Sequence, residues 1–371
     1  MTRCASPPRS TPPPTRSTRA SRCSTRCWPP SEAVRPHDAI RRGFRTYRMQ
    51  GKERTMLRYL GKRLLSAIPV LIVVGVVAFL LSHMSGGDPA RVIAGNDATD
   101  AQVEAIRQQM GLNQSVPEQL WSWFMNLLHG DLGYSYVLGE GVTPTILSHV
   151  FPTLSVAVLG ELISLIVAIP LGVLASDKHG RAADRAVLAF ATLTTSLPSF
   201  LAGLLLMIVF VLNMKLLPAS GFVYPSDDIG GYFSHLILPA LSVATLQIAI
   251  IIRMTRSSMI DSLGSDYIRT AEAKGLTRAR QLWVHAFKNS SISILTIVGQ
   301  SFGELIAGAI VVETVFNVPG IGQLVSNSIL RRDYQMVQGI LIFVALVFIV
   351  VNLITDVLYA VIDPRIRERS F

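Results

Sequence analysis

From Met56 onward the chain has no cysteine; Cys4, Cys23 and Cys27 all fall in its first 27 residues. That excludes a disulfide framework and any thiolate metal or redox centre from the body of the protein. Charge is scarce as well: 16% of residues are Asp, Glu, Lys or Arg, against about 25% in a soluble domain. The net charge of +10 would point toward nucleic acid if it were spread along the chain, but it is not. Residues 1–55 hold 13 Lys and Arg against 3 Asp and Glu, whereas residues 56–371 hold 21 of each. The basicity belongs to the tail, and no nucleic-acid partner is expected. No G-x-x-x-x-G-K-[ST] phosphate loop occurs anywhere, so the chain carries no ATP site of that kind. His129 and Asp131 lack ligand-type spacing, and no metal site is expected. Strand-type alternation is missing too, which excludes a membrane β-barrel.

What the chain has in quantity is apolar length. Six stretches, at about 64–84, 153–175, 186–212, 235–252, 292–312 and 337–362, reach or approach the roughly 20 helical residues that cross a bilayer. The first is too long for a signal peptide and has no small-residue cleavage site before Gly86. Loop charges orient the set by the excess of Lys and Arg on the cytoplasmic side. Arg58, Lys62 and Arg63 precede the first stretch, Lys178, Arg181 and Arg185 follow the second, and seven basic residues lie between Arg253 and Lys288. Arg365, Arg367 and Arg369 close the chain, while residues 85–150 carry seven acids against Arg91 and Arg107. Both termini and the basic loops are expected in the cytoplasm, and the acidic loop outside.

The tail itself, rich in Pro, Arg, Ser and Thr, has almost nothing to bury, and such a composition is expected to be disordered. A polybasic lipid-binding arm and an Arg/Ser-rich transit peptide are two functional readings. The composition favours a solvated extension, or a start codon assigned too far upstream with Met56 opening the working chain.

The stretch SDYIRTAEAKGLTRARQLWVHAFKNS, residues 265–290, separates the possible classes of membrane protein. Ser265 or Asp266 can cap a short helix, and Gly275 tolerates the positive φ that ends it in a tight turn. Thr277 can cap a second helix, with Leu282, Trp283, Ala286 and Phe287 on one apolar stripe and Arg278, Arg280 and Lys288 facing away. Such a pair can dock in a groove on a partner; it can equally be a helix lying along the membrane surface.

DYIRTAEAKGL followed by HAFKNS resembles the cytoplasmic coupling loop of ABC importer permeases of the dipeptide, oligopeptide and nickel group. The family pattern, Glu-Ala-Ala, three residues, then Gly, falls on Arg269, Thr270, Ala271 and Gly275, with Arg in place of Glu. Ser293 stands near where the family often has proline after the His-Ala-x-x-Asn element. GGDPARVI, MGLNQSVPEQLWSWF, HGDLGYSY, ETVFNVPGIGQL and NLITDVLYAVIDPRIR extend the likeness over residues 56–371. The resemblance implies an all-α polytopic membrane protein with six transmembrane helices and the type I ABC importer permease fold. It divides the chain into the extension 1–55, a first span with an extracytoplasmic loop at 56–148, a five-helix core at 149–362 with its coupling loop at 254–290, and a cytoplasmic tail at 363–371. It implies no ATPase activity in this chain; ATP and magnesium would be bound by two cytoplasmic ATPase subunits, alongside a second homologous permease, an external solute-binding protein and the lipid bilayer of the inner membrane. The coupling residues would be Asp266, Arg269, Thr270, Ala271, Ala273, Lys274, Gly275, Leu276, His285 and Asn289. Peptides are the expected solute and nickel or its chelates the near alternative; a proton-coupled secondary transporter is the alternative from another class.

Ionisable groups inside the stretches are few. Glu161 and Glu304 are candidates for the translocation path, with an inter-helix hydrogen bond as the structural alternative. Asp356 is expected to pair toward Arg365. Gly299, Gly303 and Ala307 make one small-residue face suited to close helix packing, and Pro170 and Pro198 are expected to kink their helices. Asn317, Pro319, Gly320 and Gly322 form a stiff turn that serves either as part of an outer gate or as a plain surface connection.

Overall fold

The computed structural model describes residues 61, 63, 65–80, 89–95 and 98–362. The extension, most of the approach to the first span, the GGD segment and the C-terminal tail lie outside the described residues, as do the side chains of Glu304 and Ala307. The regular structure described is helical apart from one hairpin with strands of two residues each. In lipid a backbone amide has no water to bond, so an apolar run satisfies itself as a helix.

Helix α1 (Leu65–Leu80) is the described part of the first span. Three short helices follow, α2 (Pro89–Ala94), α3 (Asp100–Gln109) and α4 (Val116–Leu128). Side chains from the third helical position hold the starts of α3 and α4. The Thr99 amide donates to Gln102 Oε1 at 2.9 Å and the Ser115 amide to Glu118 Oε2 at 2.9 Å, the reciprocal arrangement of a capping box. The Ser115 hydroxyl and amide together hold the Glu118 carboxyl below the usual carboxylate range. Strands β1 (Tyr134–Ser135) and β2 (Glu140–Gly141) pair antiparallel and lead into the long α5 (Val142–Asp177).

Helix α5 runs through Pro152 and Pro170 without a break, so Pro170 does not divide its span. Pro198 does. The third stretch, expected to be one helix, is α6 (Ala182–Ser196) and α7 (Ser199–Met207), the latter continuing as a π-helical turn over Ile208–Asn213, and the two parts meet at 97°. Proline lacks the amide that would continue α6 and bars the helical conformation for Leu197 before it; Leu197 is extended, at φ −97° and ψ 118°.

Helix α8 (Ile229–Leu263) runs parallel to α5. A Cβ on Gly160 would lie 2.7 Å from Val243 Cγ2, and one on Gly172 would lie 2.6 Å from Thr255 Cβ. The missing side chains let the two long helices touch along their length, where lipid supplies no hydrophobic drive and close packing holds helices together. After the short α9 (Asp266–Ala273) and α10 (Arg278–Arg280), a π-helical turn over Gln281–Ala286 enters α11 (Phe287–Phe316). Helices α12 (Ile321–Leu330) and α13 (Tyr334–Ile362) complete the order. The small face of α11 is filled from within the chain: a Cβ on Gly299 would strike Thr355, and one on Gly303 would lie 2.6 Å from Phe348 Cε2, both residues of α13.

Among the described residues, α5, α8 and α13 are long and apolar enough to cross a membrane as single rods; counting each bent pair as one span, 182–196 with 199–213 at 97° and 278–303 with 308–316 at 55°, brings the number to five. The 16 described residues of α1 span about 24 Å at about 1.5 Å each. Leu147, Ile166, Leu193 and Leu346 are exposed on the outside of the bundle, as a lipid-facing surface requires. The bundle has two chemically distinct ends. One carries α2–α4, the hairpin and a ring cluster in which Phe151 lies 6.2 Å from Phe222 and 6.0 Å from Tyr224; the other carries α9 and the basic turns.

Candidate functional site

The loop end is built around Gly275. Helix α9 buries only Ile268 and Ala271 and leaves Asp266, Arg269, Thr270, Ala273 and Lys274 exposed. It ends where Gly275 takes φ +78°. The Gly275 amide donates to the Glu272 carbonyl at 2.8 Å, and the Leu276 amide reaches back to the Ala271 carbonyl at 3.2 Å. This paired closure of a helix C-terminus needs a left-handed residue, which glycine adopts without a Cβ penalty. Ser265 and Thr277 occupy the expected cap positions, but neither side chain makes a cap bond; the Ser265 hydroxyl donates to the Ser262 carbonyl instead.

Two features of the loop differ from the sequence expectation. The second helix does not stand apart: it runs from Arg278 through the π turn directly into α11. That wider turn changes the register, so Leu282 and Ala286 are buried while Trp283 is 46% exposed. Arg278, expected to face away, is paired with Asp177 at the end of α5, Nε to Oδ1 at 2.8 Å. Gln281, which sequence reading passed over, is buried and donates through Nε2 to the Leu276 carbonyl at 2.9 Å, pinning the turn. Asn289 and Ser290 bring the start of α11 against α8: Asn289 Nδ2 lies 3.4 Å and Ser290 Oγ 2.8 Å from Ser262 Oγ. His285 is half-buried beside them.

A second ion pair fixes the turn between α5 and α6 to α8. Asp184 is buried and takes two bonds from Arg256, from Nε at 2.6 Å and Nη2 at 2.8 Å, with a third from the Gly180 amide at 2.8 Å. The α9–Gly275–α10 segment is therefore joined to three long helices: to α8, which α9 directly follows, to α5 through Arg278, and to α11 through the π turn. The Asp184–Arg256 pair separately ties α6 to α8.

At the opposite end, the segment carrying Asn317, Pro319, Gly320 and Gly322 begins exposed at Asn317, is half-buried at Pro319 and runs into a buried junction at Gly320 and Gly322. Asn317 takes a left-handed φ of 50° and closes α11, with the Val318 amide on the Glu313 carbonyl at 2.8 Å. Glu313 has no exposed surface. Its carboxylate accepts from Thr153 Oγ1 at 2.7 Å, the Gly322 amide at 2.7 Å and the Gln323 amide at 3.2 Å. Thr153 Oγ1 in turn accepts from the Ile321 amide at 2.8 Å. The otherwise unpaired amides at the start of α12 are thus satisfied from α11 and α5. A Cβ on Gly320 would strike the Glu313 carboxylate, and one on Gly322 would strike the α11 backbone at Ile310. Glu313 lay in the quoted ETVF run, but nothing in its spacing distinguishes a buried cap from a surface acid.

Glu161 is buried where α5, α8 and α11 meet, beside Ser301. The Ser301 hydroxyl is committed to the Val298 carbonyl at 3.0 Å. Glu161 faces the Ser301 side chain across the α5–α11 contact, and Gln247 Oε1 has no hydrogen-bond partner among the described residues. Gln247, also buried, donates from Nε2 to the Ser301 carbonyl at 3.1 Å. Asp356 pairs with Arg63 at the start of the first span, Nε to Oδ2 at 2.9 Å; Arg365, toward which the sequence placed it, lies outside the described residues.

Comparison with known proteins agrees with this architecture. Residues 168–368 match the family model described as binding-protein-dependent transport system inner membrane component, and residues 56–157 match its N-terminal companion. A protein of Sinorhizobium fredii described as a probable peptide ABC transporter permease is 40% identical over 309 residues, covering 83% of this chain and 99% of its own length. The glutathione transport system permease protein of Escherichia coli K12 is 40% identical over 314 residues, covering 85% of this chain and all of its own. Among solved structures, the inward-facing MetNI methionine ABC transporter superposes with a TM-score of 0.50 over 59% of this chain and 96% of that one, at 13% identity, a likeness of fold alone. The chain is therefore a multi-pass membrane protein of the inner membrane component family of binding-protein-dependent transport systems, the permeases of ABC importers.

Proposed function

We propose that this chain is one of two homologous permease subunits through which an ATP-driven importer passes peptides. The observation that carries the mechanism is the α9–Gly275–α10 platform, exposed on one side, following directly from α8, tied to α5 by the Arg278–Asp177 ion pair and running as a continuous helix into α11. Asp266, Arg269, Thr270, Ala271, Ala273, Lys274, Gly275 and Leu276 form the face that docks on an ATPase subunit, with His285 and Asn289 at its root. Two such ATPase subunits bind ATP and magnesium and do the hydrolysis; this chain has no phosphate loop with which to do so. The loop end and both termini lie in the cytoplasm, and the α2–α4 arm with the hairpin lies outside, where a solute-binding protein delivers its load. Charge bias supports that orientation.

Peptide as the solute is supported by the descriptions of the relatives, one naming peptide and another glutathione, itself a tripeptide. Glu161 and Glu304 are proposed to face the path, and Asn317, Pro319, Gly320 and Gly322, locked on Glu313, its outer end. The proton-coupled alternative gives the α9 platform no task. Reconstitution in proteoliposomes with the second permease, the ATPases and the binding protein tests the reading. ATP hydrolysis should rise when peptide-loaded binding protein is added, with peptide accumulating inside; the isolated chain should hydrolyse nothing. Uptake that persists without ATP and collapses with an uncoupler would overturn it.

A further inference from the structure

A cleft of about 490 Å³ opens at the arm end between α3, α4, the β1 region and the start of α13. Its size falls within the roughly 300–1,000 Å³ of small-molecule sites, and its chemistry is specific. Gln108, Gln109, Asn126 and Gln335 line it with carboxamides that make no hydrogen bond to a described residue, and Gln335 Oε1 is buried there without a donor. Only two lining residues carry charge. Asp333 is committed, accepting the Ser135 hydroxyl and, at 3.2 Å, the Met336 amide. Arg332 has no acidic partner among the described residues and sits at φ 57°, a left-handed conformation that residues with a side chain rarely adopt. The Asp333 amide bonded to the Ser328 carbonyl at 2.8 Å closes α12 around it and holds it there.

The cleft thus offers both amide donors and acceptors, one uncommitted guanidinium and no free anion. A carboxamide can pair with the N–H and C=O of a peptide unit at once, and a guanidinium matches a carboxylate in a two-bond fork. We propose that this cleft is an external holding site for short peptides, which takes the C-terminal carboxylate on Arg332 and the backbone on the carboxamides. The one anion of the lining, Asp333, is buried and turned onto Ser135 and the Met336 amide, so the free amino end has no exposed carboxylate to meet; the site reads the carboxyl terminus and tolerates any side-chain sequence and a blocked amine. This rests on the peptide-import reading above.

The test is calorimetric titration of the assembled transporter in lipid nanodiscs, without the solute-binding protein, using trialanine, N-acetyl-trialanine and trialanine amide. Trialanine and its N-acetyl form should bind alike and the amide about tenfold more weakly, the effect expected of losing a charge-assisted bond. Arg332→Gln should lower trialanine affinity about tenfold and erase the preference over the amide, while Arg332→Lys keeps much of it. Arg332→Gly, which also relieves the backbone, should assemble normally and bind as weakly as Arg332→Gln. Equal binding of trialanine and its amide, or unchanged binding by Arg332→Gln and Arg332→Gly, overturns the proposal. So does protection of a Gln109→Cys thiol from maleimide by empty binding protein but not by trialanine, which would assign the amide-rich cleft to a binding-protein loop. ATP-driven uptake of radiolabelled trialanine by the complete system separates the two claims: uptake without cleft binding defeats this inference alone, and absence of any peptide uptake defeats the peptide reading.

Discussion

Glu313 keeps a carboxylate inside the bundle because every acceptor direction it needs is occupied by a hydroxyl or a helix-start amide. Removing it leaves the Gly322 and Gln323 amides and the Thr153 hydroxyl buried without partners. Glu313→Ala is therefore expected to destabilise the fold by roughly 2–4 kcal/mol, read as a lowered thermal midpoint of the purified chain and new protease cleavage near residue 320. Gly322→Ala places a Cβ against the α11 backbone and should cost about 1–3 kcal/mol by overpacking. Glu161 presents a different case, a buried carboxyl whose neighbouring Ser301 hydroxyl is already committed to the Val298 carbonyl. Glu161→Gln is expected to leave assembly and thermal stability unchanged and to lower peptide uptake; a variant that transports at the wild-type rate would remove Glu161 from the path.

At the scale of elements, the π turn and the Gly275 closure make α9, α10 and α11 one lever. A β-branched residue at φ +78° should cost about 1–2 kcal/mol or more, and it falls on a turn outside the spanning helices. Gly275→Val should insert and express normally yet fail to co-purify ATPase subunits, while Gly275→Asn, which tolerates the left-handed region, should retain them. Retention of full association and uptake by Gly275→Val would detach the loop from coupling. The Arg278–Asp177 pair is half exposed on its arginine side, so its loss should cost under about 1 kcal/mol of stability. Its effect belongs to transmission: Asp177→Arg should raise the ATP hydrolysed per peptide imported, and the exchange Asp177→Arg with Arg278→Asp should restore the ratio. The short helices α3 and α4 fall outside the six apolar stretches, although Ser115-x-x-Glu118 is a legible capping signal.

For the whole molecule, orientation is open to direct measurement. A thiol at Ser122→Cys on the arm should react with an impermeant maleimide from outside intact spheroplasts, and one at Glu272→Cys on α9 only in inverted vesicles; the reverse pattern would invert the topology. The sequence by itself determined that the chain crosses a membrane, roughly where its spans lie, that Gly275 ends a helix and that the family is the importer permeases. These properties depend on local composition, on hydropathy over about 20 residues, and on short runs whose order is visible in one dimension. Only the tertiary structure decided that Pro198 breaks a span at 97° while Pro170 breaks none, that Arg63 takes Asp356, and that Thr153, 160 residues before Glu313 and 168 before Ile321, completes the cap of α12. A proline's effect depends on whether neighbouring helices support the interrupted backbone, and the burial of the Glu313 carboxylate depends on a hydroxyl that arrives from another helix. Neither dependence is written within a few residues of the group concerned.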